Sequence, residues 1–91
     1  MQNIDIDLLA EAFIKLRTKE EITTFLKDLL SNSEQETLLL RLQVAKLLDQ
    51  GLRYLEVQRQ TGASSATVAK VSEYLKYGFN GYKTALGRMK K

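Results

Sequence analysis

The chain has 91 residues and no proline, and none of its five glycines occurs before Gly51. Proline and glycine interrupt helices more strongly than any other residues, at costs of about 3 and about 1 kcal/mol relative to alanine. The first 50 residues therefore carry no compositional break, whereas the glycines divide the remaining residues into short segments. Because no strand-like alternation of apolar residues accompanies this distribution, the sequence predicts an all-α fold.

Apolar residues recur at steps of three and four in the first half, and polar caps divide it into three helices. Thr18–Glu21 and Ser33–Glu36 have the spacing of a capping box, in which the first side chain accepts the amide of the fourth residue and the fourth side chain reaches back. The three helices are expected at residues 5–17, from Thr18 to about Leu30, and at 34–49.

The second half predicts three shorter helices, so that about six helices form one small domain over residues 1–91. The short helices are expected at 54–60, 64–77 and 82–89, with a break at 61–63. We expect the domain to comprise a helical dimerisation part at 5–50, a helix-turn-helix at 54–77 and a C-terminal segment at 79–91.

The absence of cysteine and histidine limits the chemistry that is open to this chain. Disulfides, thiolate nucleophiles, zinc ligation by sulfur or imidazole, and acid-base catalysis by histidine are all excluded. We therefore expect a protein that is not an enzyme and that uses no metal and no cofactor.

The amino terminus lacks the apolar core and the small-residue cleavage site of a secretory signal. The apolar run Leu38–Leu40 ends at Arg41 and is far too short for a membrane span. We expect a cytoplasmic protein without a membrane partner.

Charge is distributed unevenly between the two halves of the chain. Residues 1–50 hold six Lys/Arg against nine Asp/Glu, a net charge of −3, whereas residues 51–91 hold eight against two, a net charge of +6. A field of this sign favours a polyanionic partner for the second half, although part of it comes from Lys90 and Lys91 at the tail.

The predicted third helix has a wider apolar surface than one packing partner in a small domain requires. Its apolar residues are Leu38, Leu39, Leu42, Val44, Ala45, Leu47 and Leu48. We expect a second subunit to cover the surplus.

Residues 54–73, YLEVQRQTGASSATVAKVSE, have the spacing of a helix-turn-helix. Gly62 suits the positive φ of the sharp turn, and Ala63 fits the crowded position after it. Gln58 is larger than the residue usual at its position, so it should widen the crossing of the helices or turn aside. The apolar anchors are expected to be Leu55 or Val57 in the first helix and Val68 and Val71 in the second.

The second helix of this motif would lie in the major groove of duplex DNA. Ser64 is placed to cap it, which leaves its first amides and its positive dipole end available for a phosphate. Thr67 is expected to contact phosphate or sugar. The outward positions expected to reach base edges are Ser65, Ala66, Ala69, Lys70 and Glu73. None of these is arginine or asparagine, so direct readout should be sparse and water-mediated or shape readout should contribute.

The run from 29 to 76 resembles the Trp repressor family, and especially its small Trp-repressor-related branch of bacterial regulators. The likeness lies in LLSNSEQE at 29–36, in Arg41 followed by VAKLLDQG at 44–51, in TGASSATVAK at 61–70 and in LKYGFNGYK at 75–83. It is strong over about half of the chain and looser over most of the rest. The resemblance implies an intertwined homodimer in which the first three helices and the last one interlock.

The resemblance also bears on a possible effector site. In the Trp repressor, an amino acid is held between the third helix and the reading helix, which is the second helix of the helix-turn-helix. Two arginines beside a glycine hold it there. Arg41 and Lys70 match the two arginines and are possible effector-binding residues, although lysine lacks the planar fork of arginine. Val71 replaces the glycine, and with Tyr74 it should fill the space of an indole ring. We therefore expect a regulator that works without tryptophan, and the sequence identifies no other effector.

Arg41 and Tyr74 also have a simpler structural interpretation. Arg41 can be a surface or interface charge that pairs with Glu34, Glu36 or Asp49, and Tyr74 can be a core residue.

Two functional classes fit these features. The first is a transcriptional regulator, most simply a repressor, that binds a near-palindromic site in double-stranded DNA as a homodimer. The alternative is a protein-interaction module that uses the helix-turn-helix as a scaffold for an acidic partner. An enzyme would have to work with carboxylates, lysines and tyrosines alone. Further candidates for phosphate contacts, each equally explained as a solvated charge, are Arg53, Arg59, Lys76, Lys83, Arg88, Lys90 and Lys91.

Overall fold

The structure, a computed structural model, describes residues 4–90, so Lys91 lies outside the described residues. Residues 4–90 form six α-helices and no strand, which confirms the predicted all-α fold. The helices are α1 (Asp7–Lys15), α2 (Lys19–Leu29), α3 (Asn32–Asp49), α4 (Tyr54–Thr61), α5 (Ser65–Tyr77) and α6 (Gly81–Met89). No helix in this range combines the length and apolar character that crossing a membrane requires. The chain divides into two compact units, one up to Gln35 and one from Glu36.

The first unit contains α1, α2 and the first turn of α3. No side chain of α1 or α2 is fully buried. Phe13 and Phe25 meet edge to face with their ring centroids 5.5 Å apart, an arrangement that aromatic rings prefer. Large apolar side chains nevertheless remain in solvent, with Leu8 82% and Ile14 80% exposed. Within a single chain, this unit therefore leaves an apolar surface uncovered.

The cap of α2 has the predicted interaction at Thr18. The Glu21 amide donates to Thr18 Oγ1 at 3.0 Å. The Glu21 carboxylate reaches back one residue further than expected and accepts the Arg17 amide at 2.7 Å. Both interactions satisfy amides at the start of the helix, where intrahelical acceptors are lacking.

The start of α3 differs from the prediction by two residues. The Ser31 hydroxyl accepts the Glu34 amide at 3.1 Å, and the Glu34 carboxylate accepts the Ser31 amide at 2.9 Å. Hydrogen bonding of the Glu34 carboxylate to Ser31, through the Ser31 backbone amide first and its side chain second, lowers the pKa of Glu34. The box expected at Ser33–Glu36 is wrong, because Leu30, directly after α2, is extended and Ser31 already caps α3.

The second unit has a core that joins the C-terminal half of α3 to α4, α5 and α6. Val44, Val57 and Val68 are completely buried and represent α3, α4 and α5, and Leu86 adds the contribution of α6. The partly buried residues packed against them are Leu40, Leu47, Leu48, Leu52 and Tyr82. Burying side chains of this size contributes about 1.5–3 kcal/mol each, so the core holds α4 and α5 in a fixed relation.

Candidate nucleic-acid interface

The turn between α4 and α5 has the conformation predicted for a helix-turn-helix. Gly62 adopts φ 78° and ψ 5°, and its amide donates to the Gln58 carbonyl at 2.8 Å. A residue with a Cβ would pay roughly 1–2 kcal/mol in this left-handed region. Ala63 follows and is buried. Gln58 is half-buried, and the widened crossing or turned side chain expected there stays a prediction.

Thr61 has a structural role that the sequence analysis missed. We expected it in the break, but it is the last residue of α4. Its hydroxyl donates to the Val57 carbonyl at 2.7 Å and accepts the Ala63 amide at 3.1 Å. The side chain therefore ties the last turn of α4 to the residue that follows the glycine. The only signal in the sequence is a threonine directly before a glycine at a helix end.

Ser64 caps α5 as predicted. Its hydroxyl oxygen accepts the Thr67 amide at 3.1 Å and lies 3.1 Å from the Thr67 hydroxyl. The first backbone acceptor of α5 is the Ser64 carbonyl, which takes the Val68 amide. The amides of Ser65 and Ala66 come before this bond, at the helix end that favours anions.

The positions expected to face the groove all lie on the exposed side of α5. They are Ser65, Ala66, Ala69, Lys70 and Glu73. Thr67 is half-buried beside the cap, whereas Val68, Val71 and Ser72 are buried. α5 is therefore divided lengthwise into a core face and an exposed face, and the exposed face near its start carries mainly small side chains.

Of the two candidates for the anchor of α4, the structure selects Val57. Val57 is completely buried, whereas Leu55 is 76% exposed. Residues two positions apart on a helix are rotated by about 200° relative to each other. The two side chains therefore lie on nearly opposite faces, and only one of them can reach the core.

The possible effector-binding residues Arg41 and Lys70 lie on α3 and α5, and both are exposed. Val71 is 3% exposed and belongs to the core, as predicted. Tyr74 is 48% exposed, so its expected core position is wrong for the single chain. Tyr74 follows Val71 by three positions and therefore lies about 60° around the helix from it, at the border of the buried face.

Two of the phosphate-contact candidates are paired within the chain. Lys90 Nζ lies 2.8 Å from Asp49 Oδ2, and Arg59 Nη1 lies 3.2 Å from Glu56 Oε1. The hydrogen bond from Lys90 holds the pKa of Asp49 below its ordinary value, and Asp49 thus pairs with Lys90 rather than with Arg41. The other candidates within the described residues are exposed: Arg53, Lys76, Lys83 and Arg88.

Comparison with known proteins gives similarity over all six helices. A family model described as Trp repressor protein matches residues 4–90. The uncharacterized protein YerC of Bacillus subtilis (strain 168) is 37% identical over 86 residues, which make up 94% of this chain and 83% of that protein.

Two solved structures are similar to this chain. A crystal structure from Staphylococcus aureus, of a protein described provisionally as a Trp repressor, has a TM-score of 0.88 and 38% identity, and covers 93% of this chain and 85% of that one. A TrpR-like protein from Eubacterium eligens ATCC 27750 has a TM-score of 0.86 and 33% identity, with coverage of 92% and 87%.

Proposed function

The chain belongs to the Trp repressor protein family, and we propose that it is a site-specific transcriptional regulator that binds duplex DNA. The observation that carries this proposal is the exposed face of α5, which begins at the Ser64 cap and is held in place by the turn at Gly62 and the valine core. A helix presented in this way can enter the major groove with its first turns against base edges. The net charge of +6 in residues 51–91 supports a polyanionic partner. The family is one of regulators rather than enzymes.

The proposed regulator acts as an intertwined homodimer. The apolar surface of α1, which includes Leu8 and Ile14, is exposed in the single chain, and so are Leu38, Leu39 and Leu42 of α3. Monomeric proteins rarely leave large apolar areas in solvent. A second copy of the chain would cover them and would set two reading helices about 34 Å apart, one turn of DNA. The matching target is a near-palindromic site, and its occupation in a promoter would repress transcription by excluding polymerase.

We propose further that the regulator works without tryptophan as corepressor. The Val71 side chain lies in the core at the position where the family resemblance expects a glycine. Lys70, at the position of an arginine, offers a carboxylate only a point charge. The geometry around α5 thus supports a reading helix that the protein's own side chains hold in place without a bound tryptophan.

Selection of bound duplexes from a random DNA pool at about 0.15 M salt, where screening weakens non-specific binding, tests the proposal. We expect enrichment of a near-palindrome. Binding without enrichment would indicate contacts to the phosphate backbone only. Failure to bind any duplex would contradict the proposal and would favour the protein-interaction module.

The dimer and the effector are tested on the same protein. Sedimentation equilibrium should give twice the mass of the chain, 10.4 kDa for one copy. Addition of tryptophan should leave the affinity for the selected duplex unchanged. A monomeric mass, or an affinity that rises with tryptophan, would contradict the corresponding part of the proposal.

A further inference from the structure

The exposed face of α5 contains two side chains that cannot form hydrogen bonds. Ala66 and Ala69 are exposed and lie three positions apart, with the serine of the cap on one side and Lys70 and Glu73 further along the helix. Residues three positions apart on a helix lie about 60° from each other around its axis, so the two methyl groups share one face. Since both residues lie in solvent rather than in the core, packing within the chain does not explain why these two positions carry methyl groups.

The C5-methyl of thymine is the one methyl group that the four bases present in the major groove, where they otherwise present mainly hydrogen-bond donors and acceptors. A surface methyl in the groove therefore gains more apolar contact from thymine than from the other three bases. Alanine is also short, so a helix with alanine at these positions can lie close to the bases. This chemistry fits an apolar contact better than bidentate hydrogen bonding.

The spacing of the two alanines matches the stacking of base pairs. Along the helix axis Ala66 and Ala69 are separated by about 4.5 Å, compared with about 3.4 Å between base pairs. A helix lying obliquely in the groove can therefore place their methyl groups against adjacent base pairs. Lys70 lies one turn after Ala66, and Glu73 lies one turn after Ala69, so a cation and an acceptor continue the same face.

We propose that Ala66 and Ala69 are specificity-determining residues that recognise thymine C5-methyl groups on adjacent base pairs of each half-site. This inference rests on the proposed DNA-binding function. It adds that thymine is selected by van der Waals contact, while Lys70 and Glu73 are left to contact guanine acceptors or the cytosine amino group.

Replacement of thymine by deoxyuridine tests the inference, because uracil lacks the methyl group and keeps every hydrogen-bonding atom. In the selected duplex, each thymine is replaced singly and the dissociation constant is measured at about 0.15 M salt. Loss of one buried methyl contact should weaken binding about fourfold. We expect this loss at two adjacent positions of each half-site and none at other thymines.

A pair of glycine variants identifies the side chains that read the methyl group. At one of these positions, Ala69→Gly should bind the thymine and the uracil duplexes with equal dissociation constants. At the other position, Ala66→Gly should do the same. Ala85→Gly is the matched control, because Ala85 is also exposed within a helix, α6, and the same loss of helix propensity is expected there. This control should keep the full response to uracil.

The outcomes separate this inference from the proposed function. A duplex that is bound specifically but tolerates uracil at every position would overturn the thymine contact and leave the regulator intact. A response to uracil that persists in both Ala66→Gly and Ala69→Gly would assign the contact to another residue and overturn the inference. If no duplex is bound, the proposed function and this inference are both wrong.

Discussion

The Ser64 hydroxyl oxygen accepts the Thr67 amide at 3.1 Å, at the end of α5 that would face DNA. One side chain thus serves the stability of the helix and lies beside the proposed phosphate site. Ser64→Ala should lower the free energy of unfolding by about 1 kcal/mol, because the amide loses its acceptor. Ser64→Asp should keep the cap and the stability, but it should weaken DNA binding about fivefold to tenfold through repulsion of phosphate.

Urea unfolding and DNA titration measure the two effects separately. Thr18→Ala is the matched control, because it removes the equivalent cap of α2 and should cost similar stability without a direct effect on DNA affinity. If Ser64→Asp binds DNA as tightly as the natural sequence does, no phosphate lies at this helix end.

Charge reversal at Lys70 tests the exposed face of α5. Lys70 is exposed, so Lys70→Glu should change the free energy of unfolding by less than about 0.5 kcal/mol. Its affinity for the selected duplex should fall at least about tenfold. Lys27→Glu makes the same change on α2, outside the helix-turn-helix, and should have little effect. Equal affinities for the two variants would remove Lys70 from the interface.

The two glycines Gly62 and Gly87 should respond to alanine with opposite signs. Gly62 has φ 78°, so Gly62→Ala should destabilise the fold by roughly 1–2 kcal/mol although its Cβ would meet no neighbour within 4 Å. Gly87 lies within α6 with open space around it, so Gly87→Ala should stabilise the fold by up to about 1 kcal/mol. Thermal unfolding of both variants is the measurement, and a stable Gly62→Ala protein would show that the turn can change conformation.

Truncation of Val57 and Leu55 tests the burial of α4. Val57→Ala removes buried methyl groups and leaves a cavity, which should cost about 2–3 kcal/mol of unfolding free energy. Leu55→Ala removes more atoms from an exposed position and should cost less than about 0.5 kcal/mol. If Leu55→Ala lost more unfolding free energy than Val57→Ala in urea, the opposite face of α4 would pack on the core.

The Asp49–Lys90 pair should contribute to the free energy of unfolding near neutral pH and lose this contribution at acid pH. The Lys90 hydrogen bond lowers the pKa of Asp49 in the folded state. The pair therefore contributes fully above the ordinary aspartate pKa of about 3.9, and the contribution disappears as the pH falls through the lower folded-state pKa.

Comparison of Lys90→Gln with the natural sequence isolates this contribution. The difference in unfolding free energy between them should be constant near neutral pH and should shrink below about pH 3.9. Lys76→Gln removes the same charge from another exposed position and should show no such pH dependence. A difference between Lys90→Gln and the natural protein that persists unchanged at low pH would indicate that the pair is not ionic.

The helix-turn-helix could be predicted because its determinants are local. The positive φ at Gly62 and the cap at Ser64 depend on atoms within a few residues of each position. The start of α3 shows where local rules become ambiguous. Ser31–Glu34 and Ser33–Glu36 both have the capping-box spacing, and the end of α2 at Leu29 selects the first.

The sequence by itself determined the all-α class, the number of helices and the exposed composition of α5, because helix propensity, caps and glycine conformation act over a few residues. Only the tertiary structure decided that Val57 rather than Leu55 reaches the core, that Tyr74 stays half in solvent and that Asp49 pairs with Lys90. These outcomes depend on contacts between residues that are distant in the chain. Periodicity defines the faces of a helix, but the neighbouring helices decide which face is buried and which charge lies within reach.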